Sequence, residues 1–426
     1  MNNSLRTSLF LSLLFLGTLV ASPAHAAPGD LDPGFGTRGK AVRDFGAEDR
    51  IVDIAIQGQR KALALVQVDD VGDERIFVMR LRSNGRLDRA FGTNGRTRID
   101  RPGDELAGGI ALRSDGRIVV SFTSDPSEAD SAFGIARLLR NGNLDRSFDN
   151  DGIQTSGFGT GFSNARVSDV ATDGNRIVVA GRVYAGGDTS YDFALARFDS
   201  AGQLDASFAG DGRQTTDFAA EQDVALGVEV DSQRRPVAVG YASPSGPGID
   251  PLALARYGAD GELDASFSGD GRVVSEVAPE GQDLVVLGDD RIVVAGTVSG
   301  DYVVARFGDD GTLDGSFGAG GTRAIDFNDG ADIVGAIARD GSRLVLAGTA
   351  RTPRRGRDFG IARLRPNGSL DPRFSDDGLR TVNFDGREDQ AYGVAVDRTR
   401  DVVAVGSAQV PQRDTAALRL QGRGGR

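Results

Sequence analysis

The sequence has no cysteine, no tryptophan, two lysines (Lys40 and Lys61) and one histidine, His25. Without cysteine there is neither a disulfide framework nor a thiol nucleophile, so stability has to come from packing. Because the only histidine lies within the first 26 residues, the chain beyond them has no histidine base, no Ser-His-Asp system and no usual zinc site. The chemistry left rests on carboxylates, tyrosine, lysine and arginine. Positive charge is also in deficit, 49 Lys and Arg against 61 Asp and Glu for a net charge of -12, which repels a phosphate backbone. Nucleic acid is therefore not an expected partner. No apolar run approaches the roughly 20 residues that span a bilayer.

The longest such run, Leu9 to Val20, follows Arg6 and precedes the small-residue site Ala24-His25-Ala26. This order predicts an export signal over 1–26 and a mature, soluble chain from Ala27, secreted or periplasmic and without a membrane span.

What the chain has in abundance is repetition. The segment Leu-Asp-x-x-Phe-x-x-x-Gly occurs seven times, with its Asp at 32, 88, 145, 205, 264, 314 and 371. The copies stand 50 to 60 residues apart and divide 27–426 into units near 31–86, 87–143, 144–203, 204–262, 263–312, 313–369 and 370–422. Each unit reads as four short strands, such as Arg272-Val273-Val274, Gly393 to Val396, Arg291 to Gly296 and Phe193 to Phe198. Pairs such as Asn84-Gly85, Asn141-Gly142, Asp310-Gly311 and Asn367-Gly368 follow the fourth strand as tight turns. No amphipathic helix is expected beyond the signal.

Four-stranded units can stack in a line or close radially. The fourth strands carry Arg80, Arg137, Arg197, Arg256, Arg306, Arg363 and Arg419, and after the first six a motif Asp follows eight residues later. Asp32 has no Arg before it and Arg419 no Asp after it, so each end lacks what the other has. A linear stack needs atypical capping repeats, whereas complementary half-motifs suit a ring. The expected fold is all-β: a single seven-bladed β-propeller of four-stranded antiparallel blades over 27–426, closed by Arg419 meeting Asp32.

Units such as Asp192-Phe193-Ala194-Leu195-Ala196-Arg197, leading to Leu204-Asp205 and on through Phe208 to Gly212, resemble the delta-60 repeat, a bacterial propeller-type family. The resemblance covers nearly the whole chain after residue 26. It implies a β-propeller in an exported or surface protein and brings no catalytic residues with it.

Alternation along Phe193 to Arg197 puts Phe193, Leu195 and Arg197 on one sheet face and Ala194 and Ala196 on the other. A buried Arg needs a partner, and the Asp eight residues on is the natural bidentate one. The pairs Arg80–Asp88, Arg137–Asp145, Arg197–Asp205, Arg256–Asp264, Arg306–Asp314, Arg363–Asp371 and Arg419–Asp32 are thus expected to be structural glue at each junction. The motif Phe is expected to wedge into the core and the motif Gly to take positive φ or a close backbone approach.

Recognition is expected elsewhere. With strands alternating in direction, first-to-second and third-to-fourth connections share one face. There the third-to-fourth loops vary from Ser299-Gly300 to Val183–Ser190, Ala242–Ile249 and Ala350–Arg357. On that face Tyr184, Tyr191 and Tyr241 are candidates for sugar contact, and Arg351, Arg354, Arg355 and Arg357 for an anionic polymer. Asp49, Asp104, Asp223, Asp283, Asp332 and Asp389 recur before second strands. They read either as turn caps or as a ring of oxygen ligands at the channel mouth for Ca²⁺, whose preference for oxygen they match. No other cofactor is expected. The functional expectation is a monomeric, non-enzymatic scaffold binding a protein or extracellular polymer. The alternative is a carboxylate-based hydrolase or lyase acting on polysaccharide, for which a raised carboxyl pKa inside a pocket would be diagnostic.

Overall fold

Runs of Val, Ile, Leu and Ala, cut at short intervals by Gly- and Asp-rich turns, form strands throughout. A computed structural model describes residues 27–422 except 71–72, 126–130, 160, 187–189, 219–221, 244–249, 277–280, 328–329, 353–355, 387 and 411. The expected signal over 1–26, with Arg6 and His25, and the candidates Arg354 and Arg355 lie outside the described residues. Among the described residues there are 28 strands and no helix.

A first short strand, β1 (Lys40–Arg43), precedes β2 (Glu48–Gln57), β3 (Lys61–Asp70), β4 (Asp73–Leu81) and β5 (Arg96–Ile99), which pair in that order. The next sheet is β6 (Asp104–Leu112), β7 (Ile118–Asp125), β8 (Ala132–Leu138) and β9 (Ile153–Ser156). Then come β10 (Ser163–Asp173), β11 (Arg176–Tyr184), β12 (Tyr191–Phe198) and β13 (Arg213–Thr216). They are joined through one parallel pair, Tyr191 with Gln222, to β14 (Gln222–Val230), β15 (Pro236–Ser243), β16 (Leu252–Arg256) and β17 (Arg272–Ser275). Two further antiparallel sheets follow. One is β18 (Gly281–Val286), β19 (Ile292–Val298), β20 (Asp301–Phe307) and β21 (Thr322–Ile325). The other is β22 (Ile333–Asp340), β23 (Arg343–Thr352), β24 (Gly356–Leu364) and β25 (Leu379–Val382).

The last three strands, β26 (Gln390–Val396), β27 (Val402–Gln409) and β28 (Arg413–Leu420), take β1 as their fourth member, with Lys40 opposite Leu418 and Arg43 opposite Thr415. Upstream, the Asp32 N–H donates to the Arg419 carbonyl at 2.8 Å.

The fourth strand of a unit has both faces buried, and each face feeds a different core. In β12, Phe193 and Leu195 pack towards β14–β16, whereas Ala194, Ala196 and Phe198 pack towards β8 and β10. Each apolar cluster thus lies between adjacent sheets, where burying one large aliphatic or aromatic side chain contributes about 1.5–3 kcal/mol.

The second strands β2, β6, β10, β14, β18, β22 and β26 each touch the next, and β26 also touches β2. All of them line one axial cavity. Each carries a register shift at the same level, as between Ile51 and Asp53 or Val167 and Asp169. Such bulges bend a strand and re-aim the next side chain.

Candidate functional site

The repeated Arg and Asp meet at every junction. Arginine Nε lies 3.0 Å from the carboxylate in Arg80–Asp88, 2.9 Å in Arg137–Asp145, Arg197–Asp205 and Arg256–Asp264, and 2.7 Å in Arg306–Asp314. Arg419–Asp32 is at 2.8 Å, and Arg363–Asp371 is at 3.1 Å without hydrogen-bond alignment. The pairing differs from the expected two-oxygen fork. In Arg80–Asp88, Nε and Nη2 both approach Oδ2. Elsewhere Oδ1 is taken by the turn, as by Ser207 N–H and hydroxyl on Asp205.

Two further partners were not legible as such in the repeat. Each guanidinium lies 4.6 to 5.1 Å from the ring of the motif Phe, from Phe91 under Arg80 to Phe35 under Arg419. In six units Nη1 also donates to a backbone carbonyl of the following unit, that of Ala259 for Arg197 and Pro366 for Arg306. A second cation reaches most motif carboxylates from the start of the third strand: Lys61 on Asp88, Arg117 on Asp145, Arg235 on Asp264 and Arg291 on Asp314. Its signal, a basic residue just before an apolar run, stood in Arg291-Ile292-Val293. Burial would raise the Asp88 pKa, but the Lys61 hydrogen bond and the Arg80 charge hold it at about 2.

The axis holds a different set of carboxylates. At the bulges stand, in order, Asp53, Gly109, Asp169, Gly227, Asp283, Ala336 and Gly393, acids alternating with small residues as far as Ala336. The Oδ2 atoms of Asp53, Asp169 and Asp283 accept the N–H of Ile110, Val228 and Ile337 on the following sheet at 2.8, 2.9 and 2.8 Å. Their Oδ1 atoms accept the N–H of the next residue in their own strand. The small residues make room: a Cβ at Gly109 would stand 2.5 Å from Asp169 Oδ1. Burial pushes Asp53 up to about 6 and Asp283 up to about 8. Burial and the charges of Asp53 and Asp283 push Asp169 well up too.

This geometry corrects the expected channel-mouth ring, because its six residues occupy three kinds of position. Asp283 lines the axial cavity. Asp104 is the first residue of β6, half-buried, and accepts the Glu74 N–H at 3.1 Å. Asp49, Asp223, Asp332 and Asp389 are fully buried at the starts of four separate second strands. There each caps the preceding turn, accepting the N–H of Phe45, Phe218, Phe327 or Phe384.

Three of these caps belong to carboxylate trios. Asp49 groups with Asp44 and Asp414, Asp223 with Asp192 and Asp217, and Asp332 with Asp301 and Asp326, one oxygen of each within 4.8 Å of the others. Burial and the neighbouring carboxylates push Asp49 and Asp223 up to about 7 and raise Asp332 as well.

The other face candidates lie at strand ends rather than in loops, because the strands run further than expected. β11 continues to Tyr184, β15 to Ser243 and β23 to Thr352. Tyr184 and Tyr191 face each other across β11 and β12 with ring centroids 5.6 Å apart, and Arg182 lies 4.5 Å over the Tyr191 ring. Tyr241 is half-buried on β15, opposite Leu252. Arg351 and Arg357 oppose each other across β23 and β24, and Arg357 reaches Glu388 at 3.4 Å. The tyrosines and arginines sit on different sheets and do not form one site.

On the opposite, uniform face a cleft of about 810 Å³ is lined by Arg60, Lys61, Arg80, Arg82 and Arg113 among others. These cations are paired with carboxylates: Lys61, Arg80 and Arg82 with Asp88, Arg60 with Asp397, and Arg113 with Asp115.

Residues 113–148, 175–208, 287–317 and 342–374 match the family described as a domain of unknown function (DUF5122) beta-propeller. Each matched stretch runs through a third and fourth strand and ends at a motif Phe: Phe148, Phe208, Phe317 or Phe374. The chain is a β-propeller repeat protein. No curated protein matches its sequence. Among solved structures it is similar to a protein of unknown function from Dyadobacter fermentans, at 11% identity over 92% of this chain and 100% of that one, TM-score 0.49. It is also similar to the β-propeller domain of the Trilobed protease from Pyrococcus furiosus, at 10% identity over 89% and 96% of the chains, TM-score 0.46. A third likeness is to the alpha-L-arabinofuranosidase from Fusarium graminearum, at 8% identity over 93% and 97%, TM-score 0.42. No activity passes to this chain from any of them.

Proposed function

We propose that this chain is an exported, monomeric, non-enzymatic scaffold, a seven-bladed propeller closed by β1 adding to β26–β28, that binds a protein or extracellular polymer through its variable-loop face. The observation that carries the reading is the contrast between its two faces. Third-to-fourth connections range from 299–300 to 185–190 and 244–251, while the opposite face repeats the same Arg–Asp–Phe junction. A repeated junction is what a fold requires of every unit, and loops that differ from unit to unit are where a repeat scaffold places recognition.

The enzymatic alternative draws on Asp283, raised to about 8 in a cavity. Two features weigh against it. The axial carboxylates already accept backbone N–H groups on both oxygens. The cavity, about 240 Å³, is also smaller than the roughly 300–1,000 Å³ of ligand pockets.

The test is a paired one. Immobilised chain is offered soluble polysaccharides and secreted proteins, beside a variant with 185–190 and 244–251 shortened to Gly-Gly. Selective binding by the intact chain and its loss in the variant are expected. Hydrolysis of chromogenic glycosides or lactones that disappears in Asp283→Asn would overturn the non-enzymatic reading.

A further inference from the structure

The three carboxylate trios lie on the loop face, where the first strand of a unit turns into the second beside the start of a fourth strand. In each, one member is exposed (Asp44, Asp217 or Asp326) and one is fully buried (Asp49, Asp223 or Asp332), so every cluster opens to water on one side.

An acidic cluster alone does not make a site, but two of these hold a buried oxygen that the protein leaves unsatisfied. Asp223 is fully buried, and its Oδ2 takes the Phe218 N–H while its Oδ1 has no hydrogen-bond partner. In the equivalent cluster Asp414 is 5% exposed and its Oδ1 is likewise without a partner. A buried carboxylate oxygen with no donor is costly unless something positive meets it.

Two other units fill the equivalent positions differently. Where β24 meets β25 the three positions are Asp358, Asn383 and Asp389, and the Asn383 amide donates to Asp358 Oδ1 at 2.6 Å. The Lys40 ammonium stands in the same corner, 5.6 Å from the Phe384 ring centroid. In the unit of β4 and β5 the buried carboxylate is Glu105, capping the Arg101 N–H at 2.8 Å, and Arg75 holds the fourth-strand position that Asp414 holds elsewhere. An amide or a guanidinium therefore stands in these units where the trios place another carboxylate.

We propose that Asp192–Asp217–Asp223 and Asp44–Asp49–Asp414 are two equivalent Ca²⁺ sites on the loop face; the third trio has no such unsatisfied oxygen, because Asp332 accepts the N–H of Phe327 and of Arg351 on its two oxygens. Oxygen ligands at about 2.3–2.6 Å from a shared ion stand up to roughly 5 Å apart across it, which suits oxygens within 4.8 Å of one another. The donor set is all carboxylate, which selects hard cations over zinc or copper. With few protein ligands and the rest water, these sites belong with extracellular modules of Kd on the order of 10⁻⁴–10⁻³ M.

The experiment is titration of chelator-stripped chain with CaCl₂ by isothermal calorimetry, with thermal melts at each point. Two ions per chain are expected, with a rising melting midpoint. The count should fall by one in each of Asp44→Asn and Asp217→Asn and to zero in the double variant, while Asp326→Asn should leave it unchanged. These substitutions change exposed side chains, so the ion-free melt should stay cooperative and serve as the folding control. No saturable binding up to about 10 mM, some tenfold above the weakest expected Kd, overturns the proposal. Binding retained by a cooperatively folded double variant also overturns it.

Discussion

At position 197 a guanidinium is 1% exposed, and each arm has an acceptor: Asp205 at Nε, the Ala259 carbonyl at Nη1 and the Ser207 hydroxyl at Nη2. The charge is tolerated because no arm is left without a partner, and because the Phe208 ring covers its face. The axial acids follow the opposite logic. Asp283 is raised to about 8 by burial, with the charges of Asp53 and Glu229 adding to it, so the folded chain keeps at neutral pH a proton that the unfolded chain has released. A raised carboxyl pKa gives stability that is complete below the ordinary value near 4 and is lost as pH rises through the folded value. The melting midpoint should therefore fall between pH 5 and pH 9, and Asp283→Asn should flatten that slope. An unchanged slope in the variant would remove Asp283 as its source. Asp88, held at about 2, acts in the reverse sense, and its contribution is lost as pH falls from about 4 through 2.

At the scale of the strand and its turn, the Leu-Asp-x-x-Phe-x-x-x-Gly segment is one device that returns the chain from the fourth strand to the next first strand. In the fourth unit the Gly212 N–H donates to the Phe208 carbonyl at 2.7 Å with φ of +91°. A Cβ at Gly212 would stand 2.8 Å from the Leu204 Cβ. Gly212→Ala should cost at least about 1–2 kcal/mol from backbone conformation alone, read as a lowered urea midpoint, with Ala209→Gly as a control that relaxes a positive φ. This device was legible because its residues keep fixed offsets within a few positions of one another. The bulges of the second strands were not legible. They place Asp53, Asp169 and Asp283 at the axis through register with neighbouring sheets more than 50 residues away, and nothing in local alternation reports that register. Strand ends were also misjudged: β23 and β24 extend through Arg351 and Arg357 because cross-strand pairing continues past the apolar run that marks a strand in sequence.

For the whole molecule, the two chain ends meet in one sheet, and Asp32 is the carboxylate that Arg419 would otherwise lack. Reversing that charge alone, Asp32→Arg, should cost about 3–5 kcal/mol, the range for breaking a buried pair. Adding Arg419→Asp should recover less than half of it. Arg60 lies 3.4 Å from Asp32 and Asp401 lies 3.9 Å from Arg419, so the swapped pair would meet like charge on both sides. Equilibrium urea unfolding of the single and double variants measures both quantities. Full recovery would mean that Arg60 and Asp401 contribute nothing at this junction.

Short offsets that recur along the chain carry the repeat, its four-strand content and the Asp partner of six fourth-strand arginines, and the complementary half-motifs at the two ends carry the seventh pair, Arg419 with Asp32. Composition also excluded thiol chemistry, and histidine chemistry within residues 27–426. Which acids come together was set by the packing of one sheet on the next. Asp104, Asp283 and Asp223 look alike as acids near the start of a second strand, yet they separate into a strand-end acceptor, an axial strut and a member of a three-carboxylate cluster. The physical reason is that a carboxylate's role here is set by the neighbouring sheet that supplies its N–H donors and its competing charges, and that neighbour is brought in by packing rather than by position along the chain.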